Sequence, residues 1–454
     1  MSRPVVGIQF LEDASGKRGS TAPNKATWVA AFEPLDKSAA ERVQKEKNWR
    51  HKYTKYVVEH VKLSLKSPQS ALDAAKAGLA SAHSHFEFIR EGKSYKFVDA
   101  MRDIKGSFST GIVRGKLAKD PKLCLEVPYK NKNISKDELI AQINKWVEYG
   151  TIEKDCGDAM IKVAKTPGWV DMSDLYFVML GAGSAMGPFL KLMEWGANVI
   201  AVDLDRSFIW ERLITTARQS RGTLTFPLKK PQDELADDKE LYENAGGNLM
   251  THTPEIKNWL LSVYPEKDLT IGNYVYLNGE MFFRVTVACD AIIKALAEER
   301  KNTSIAFLCT PTDCHVITDE ARKASAANRY LTVSLLSPLF GMFGMLQSNT
   351  EKQVVAKDGE KFSFVNGLVV PQGPNYCLSK RIQHWRAIVS RESGCTVSSN
   401  VAPSTATKSV VQRKSFAWVY DGITFFKPYE IFEQDTSNAV MSALLLHDLR
   451  NKKS

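Results

Sequence analysis

The chain has 454 residues, 61 Lys+Arg against 51 Asp+Glu, and 44% hydrophobic side chains. That length suits two or three domains, and the apolar content excludes wholesale disorder and collagen-like or mucin-like composition. The net charge of +10 sits wholly in residues 1–170, which carry 30 basic and 20 acidic side chains, while the rest of the chain carries 31 of each. The basic residues are mixed with acidic ones and form no dense run. That is the pattern of a solvated basic surface, and no nucleic-acid partner is expected from it.

Seven scattered cysteines form no Cys-x-x-Cys pair. A metal site is not expected, and a reduced, intracellular chain is the plainer reading. The first residues, Met1-Ser2-Arg3-Pro4-Val5-Val6-Gly7, hold no apolar core of signal-peptide length, so the chain is not expected to be secreted.

In chain order, residues 1–50 read as loosely ordered, with Gly16-Lys17-Arg18-Gly19-Ser20 and Thr21-Ala22-Pro23 as breakers. Tyr53, Val57, Val61 and Leu65 recur four apart and predict a helix, and Pro68 can open another through the Ala-rich stretch 70–81. Ser135 followed by Glu138 is a capping-box arrangement ahead of the stripe Leu139, Ile140, Ile143, Trp146 and Val147. A short helix is expected over 154–165. Thr166-Pro167-Gly168-Trp169 then marks a boundary between a basic, mainly helical region (1–170) and a second domain (171–454).

The second domain opens with Leu175-Tyr176-Phe177-Val178-Met179-Leu180, an apolar run suited to a buried parallel strand. It runs into Gly181-Ala182-Gly183-Ser184-Ala185-Met186-Gly187, a helix over 188–195, and a second strand ending at Asp203. In such a βαβ unit, glycines let the backbone approach a phosphate, and the acid can accept ribose hydroxyls. A dinucleotide and S-adenosylmethionine both fit this unit. Further on, Tyr376 and Lys380 lie four apart on a predicted helix whose apolar face is Leu378, Ile382, Trp385 and Ile388. An ammonium beside a phenol lowers its pKa and favours proton exchange near neutrality. Ser363, thirteen residues earlier, can bond a substrate carbonyl. The stretch 395–407 reads as a strand running into a Pro/Ser/Thr-rich loop, and 436–446 reads as an apolar helix.

Residues 175–449 resemble the short-chain dehydrogenase/reductase family. The resemblance rests on the glycine turn 181–187, the Tyr376/Lys380 pair, Asn400-Val401-Ala402-Pro403 with Thr405 and Thr407, and a late helix entered through Pro428-Tyr429-Glu430. It implies an α/β fold, a doubly wound Rossmann-like parallel sheet with an N-terminal, mainly helical extension, and an insertion around 313–362. It also implies that Gly181, Gly183, Ser184, Met186, Gly187, Asp203, Asn278, Gly279, Pro403 and Thr405 hold the cofactor. Tyr376 would be the proton donor or acceptor, Lys380 would hold the nicotinamide ribose, and Ser363 would orient the carbonyl. Asp203 would favour NAD over NADP by repelling a 2′-phosphate. The sequence departs from the family pattern at Ala185, at Leu277-Asn278-Gly279-Glu280, and at Pro403-Ser404. The stretch 304–310 is an alternative carrier of the catalytic hydroxyl, through Thr310 or Thr312.

Residues 330–348 hold no charge in nineteen positions, but Pro338, Gly341 and Gly344 interrupt them. They read as buried core or a lid, and otherwise as an apolar lip for a lipid-like substrate or for peripheral contact with a membrane. Three functions stay open. One is an NAD(P)-dependent oxidoreductase acting on an apolar carbonyl or alcohol, expected by resemblance to be a homo-oligomer. Another is a non-catalytic Rossmann-type binding or scaffold protein. The third is an S-adenosylmethionine-dependent methyltransferase.

Overall fold

The apolar run after Leu175 and the run before Asp203 form neighbouring parallel strands, with nearly every residue buried, as a strand covered on both faces requires. In the computed structural model, which describes residues 5–328, 342, 348–407, 414–423 and 430–451, they sit inside a seven-stranded sheet. Its strands are β1 (Ser109–Arg114), β2 (Tyr176–Leu180), β3 (Asn198–Val202), β4 (Thr223–Leu228), β5 (Leu269–Asn273), β6 (Thr303–Cys309) and β7 (Thr396–Val401). Their spatial order is β7-β6-β5-β2-β3-β4-β1. The pairs β6-β5, β5-β2, β2-β3 and β3-β4 are parallel, and β1 lies antiparallel on β4. The protein is therefore α/β with a mostly parallel central sheet, compatible with a Rossmann-like arrangement. At the β1 edge, the Gln232 side chain accepts from the Ile112 N–H (2.8 Å) and donates to its carbonyl (3.3 Å), which fills part of an exposed strand edge.

The chain divides into two compact units. Unit 1 comprises Met1–Lys119, Met172–Phe307 and Val369–Ser399; unit 2 comprises Asp120–Asp171, Leu308–Leu368 and Asn400–Ser454. Unit 2 holds 21 Lys+Arg and 20 Asp+Glu, so nearly all of the surplus positive charge belongs to unit 1.

The expectation of a loosely ordered N-terminus is corrected. Gly7–Phe10 is a strand paired with Phe86–Arg90, and Thr21–Phe32 and Lys37–Lys45 are helices. Pro23 falls in the first helical turn, where its missing N–H has no partner to lose. The order comes from distant contacts that local composition does not register. Trp28 and Phe32 are buried around His60, and the Arg284 guanidinium donates to the Ile8 carbonyl. Burial holds the His60 imidazole neutral, its pKa down at about 3.

The helix Trp49–Ser64 and α1 (Pro68–Ser84) match the periodicity, and the serine before the proline caps α1: Ser67 Oγ accepts from the Ser70 N–H. Four more helices of unit 1 matter below: α2 (Phe189–Glu194), α3 (Ser207–Arg218), α4 (Glu280–Glu299) and α5 (Pro374–Glu392). At Gly78 of α1 a Cβ would stand 2.5 Å from the Trp385 ring of α5, so the two helices approach through that glycine. Between α1, α4 and α5 lies a buried ionic node. Asp290 accepts from Arg386 Nε and Nη2, both at 2.8 Å, and lies 2.7 Å from His83 Nε2. Burial works against the charged form, but the guanidinium outweighs it and holds the Asp290 carboxyl well below the usual carboxylate range.

Unit 2 contains the hairpin Glu126–Tyr129/Lys132–Ser135, whose turn residues Lys130 and Asn131 both have positive φ, as a two-residue hairpin turn demands. The helix Lys136–Glu148 follows, but the capping box does not form. The Ser135 side chain makes no cap bond, and Glu138, which the box would need, pairs with Lys132. Glu430 gathers this unit by accepting from the Tyr129 hydroxyl (2.6 Å) and the Trp146 indole N–H (3.1 Å). A second, antiparallel sheet joins Cys314–Ile317, Lys361–Asn366 and Val354–Val355. The helix expected over 436–446 runs from Gln434 to Arg450. The uncharged stretch 330–348 lies outside the described residues except for Met342 and Ser348, as does the Pro428-Tyr429 entry to the last helix. No helix among the described residues is long and apolar enough to cross a membrane.

Asp290→Asn should destabilise the chain by about 3–5 kcal/mol, because it leaves the buried Arg386 charge uncompensated. Urea unfolding followed by tryptophan fluorescence would read this as a lower midpoint. Because the folded pKa of Asp290 is depressed, its contribution is present above about pH 4, the unfolded carboxylate value, and fades as pH falls further.

Candidate functional site

Because β2 pairs with β3 on one side and β5 on the other, the chain leaves the sheet in opposite directions there. Open parallel sheets bind ligands outside the carboxyl ends of strands at such a switch point. The glycine turn begins at the end of β2. Gly181 has φ +82°, and a Cβ there would meet the backbone and side chain of Val275, just beyond β5, at 3.0–3.1 Å. Only glycine satisfies both demands.

The turn is bonded to itself and to its surroundings. The Gly181 and Ala182 amides donate to the Val202 carbonyl, the Ser184 amide to Gly181 O, and the Gly187 amide to Ser184 O. The Gly183 amide donates to Asp203 Oδ2 at 2.7 Å, and the Leu204 amide donates to Oδ1 of the same carboxylate at 2.7 Å. Arg212 of α3 donates to the Gly183 carbonyl at 2.9 Å. Burial pushes the Asp203 carboxyl up; the two amides, then Arg212 and Arg206, pull it back. Ser184 and Met186 are half-buried, and a Cβ at Gly187 would stand 3.2 Å from Met179 Cε. The expected helix over 188–195 is only the six residues of α2, starting two residues after Gly187.

Across the Tyr274–Asn278 stretch stands α5, which presents Tyr376 in its first turn and Lys380 one turn on. The Tyr376 ring packs against Phe282 (5.6 Å) and Tyr276 (6.0 Å). The Tyr276 hydroxyl donates to Asn278 Oδ1 at 2.9 Å, and Lys380 Nζ reaches Gln383 Oε1 at 3.4 Å. Gly279 caps α4 with φ +60° and has open space where a Cβ would be. Gly181, Gly183, Ser184, Met186, Gly187, Asp203, Asn278, Gly279, Tyr376 and Lys380 thus all belong to unit 1.

The other three candidates belong to unit 2. Ser363 is buried on the strand Lys361–Asn366, where its hydroxyl accepts from Gln353 Nε2 at 3.0 Å. Thr405 is buried with its hydroxyl between the Pro403 carbonyl (2.8 Å) and Ser437 Oγ (2.6 Å). The alternative hydroxyls Thr310 and Thr312 bond each other at 2.8 Å. No group of three or more potential metal ligands occurs among the described residues.

Sequence reasoning missed Asp290 and its partners. His83 and His85, two apart on a predicted helix, read as poor metal partners pointing to different faces, and the structure turns His83 onto Asp290. The signal was an aspartate inside the apolar run of 282–293, a position that an unpaired charge rarely holds. Nothing local identifies its partner 96 residues on. No protein-family model, curated protein or solved structure matches the chain.

Gly181→Ala should lower the melting temperature, because it carries the positive-φ penalty of about 1–2 kcal/mol and also drives a Cβ into Val275. Calorimetric melting of the variant checks this, and an unchanged midpoint would refute the steric account.

Proposed function

We propose that the chain binds a nicotinamide dinucleotide, NAD in preference to NADP, at the β2/β5 switch point and is an oxidoreductase acting on a carbonyl or alcohol. One observation carries the reading. Gly181 packs on Val275, and Tyr376 packs on the neighbouring Tyr276, so the glycine turn and the phenol flank one short segment at the carboxyl edge of the sheet. The residues fit such a cofactor. Each Asp203 oxygen accepts one amide and keeps a lone pair for a ribose hydroxyl. Asp203 also disfavours an added 2′-phosphate.

When bound, the dinucleotide supplies or accepts the hydride. Tyr376 gives its phenolic proton to the carbonyl oxygen in reduction and takes it back in oxidation. Lys380, one helical turn away, stabilises the phenolate by its charge. The apolar rings of Tyr276 and Phe282 orient the phenol. Ser363, Pro403 and Thr405 receive no role here, since the hydroxyls of Ser363 and Thr405 are engaged within unit 2.

A second reading, a non-catalytic binding or scaffold protein, is favoured by a specific feature. Five amides of the glycine turn already have protein acceptors, and α2 is too short to offer a strong dipole end. Parallel calorimetric titration with NADH, NADPH and S-adenosylmethionine separates the readings. We expect micromolar NADH binding, weakened about tenfold or more by Asp203→Ala, the loss of one charged hydrogen bond. Binding of S-adenosylmethionine alone would favour methyl transfer, and binding of none would favour the scaffold. With a ketone substrate identified by screening, Tyr376→Phe should lower kcat by about 10²–10⁴-fold and leave NADH affinity unchanged. Retained turnover would remove Tyr376 from the chemistry.

A further inference from the structure

Inside unit 1, a cavity of about 10 Å³ lies at the carboxyl end of β5, between α4 and α5. Five polar side chains line it: Asn273, Thr286, Asp290, Gln383 and Arg386. The remaining walls are apolar, and every lining residue is buried. Three of the five have hydrogen-bonding capacity that the protein does not use. The Asn273 carboxamide accepts from the Val275 amide (3.3 Å), and that of Gln383 accepts from Lys380 (3.4 Å), but among the described residues neither carboxamide nitrogen donates to a protein group. The Thr286 hydroxyl likewise has no protein partner among the described residues, although the side chain is almost fully buried. Buried polar groups of this kind are ordinarily satisfied, and where the protein does not satisfy them, water does.

We propose that this cavity is a binding site for a single internal water molecule, held by Asn273, Thr286 and Gln383 and lying against the Asp290–Arg386 pair. Size admits one water and little else, because about 10–15 Å³ of such space is the minimum that a water requires. Charge selects a neutral ligand. Asp290 is already neutralised by the bidentate Arg386, so neither a cation nor an anion gains by entering. Donors and acceptors converge from a strand end and two helices, which gives the water the two to four partners that a long-lived internal water has. The water thereby ties the end of β5 to α4 and α5 and links the Gln383 carboxamide to the ionic node. The inference does not rest on the dinucleotide reading, because no step of it involves a cofactor.

Two measurements on the full chain test it. A crystal structure at a resolution that orders solvent should show one peak within about 2.6–3.2 Å of at least two of Asn273, Thr286 and Gln383. In solution, oxygen-17 magnetic relaxation dispersion should lose the amplitude of one long-lived water in Thr286→Ile, whose extra carbon fills the space. An empty cavity in the crystal, or an unchanged dispersion amplitude in a folded Thr286→Ile, would overturn the proposal. If Thr286→Ile does not fold, the crystal structure of the unsubstituted chain decides.

Discussion

A carboxylate buried in a helix among valines, alanines and isoleucines is costly unless something cancels it, and in unit 1 that requirement organises the packing. Asp290 on α4 is cancelled by Arg386 on α5 and approached by His83 on α1. Three helices that are remote in sequence are thereby held in one relative register, because a bidentate pair tolerates little sliding. The contact between Gly78 and Trp385 depends on that register. A glycine is needed where α1 meets the indole, and the indole is placed by the same helix that carries Arg386. The aromatic cluster of Trp28, His60 and Trp385 builds outward from there and brings the N-terminal helices into the unit.

The same two helices carry the groups that matter for the proposed chemistry. α4 begins beside the Asn278-Gly279 turn and presents Phe282; α5 begins with the turn that holds Tyr376. Their opening turns lie at the carboxyl edge of the sheet, where the glycine turn leaves β2. The ionic node sits deeper along both helices. Rigidity is therefore placed below the candidate site, and the more exposed residues Tyr276, Asn278 and Gly279 stand above it. That is the distribution expected of a site whose framework is fixed and whose rim is free to meet a ligand.

Asp203 illustrates how one residue can satisfy two readings. At the end of β3 it accepts the Gly183 and Leu204 amides, and under the proposed function it would also accept ribose hydroxyls. Its burial opposes its charge, and the amides and neighbouring arginines offset that cost. A scaffold protein needs only the amide contacts, and the proposed oxidoreductase needs both roles.

Much of the local structure was legible in the sequence. The βαβ unit, the helix from Pro68, the helix bearing Tyr376 and Lys380, and the late helix through residues 436–446 follow from apolar period and from where proline and glycine stand. These are short-range preferences, and a strand buried on both faces or an amphipathic helix declares itself without knowledge of its neighbours. The order within residues 1–50 was not legible, because Gly7–Phe10 and Thr21–Phe32 are stabilised by partners far along the chain. The capping box at Ser135 does not form: Lys136, the first residue of that helix, has positive φ, and Glu138 pairs with Lys132 instead, features that a motif does not express. Tertiary structure alone decided that Ser363 and Thr405 belong to unit 2 with their hydroxyls engaged, and that His83 faces an aspartate 207 residues away. Periodicity specifies which face of an element is buried; only the folded chain specifies what that face meets, since pairing across hundreds of residues depends on the geometry of every element between them.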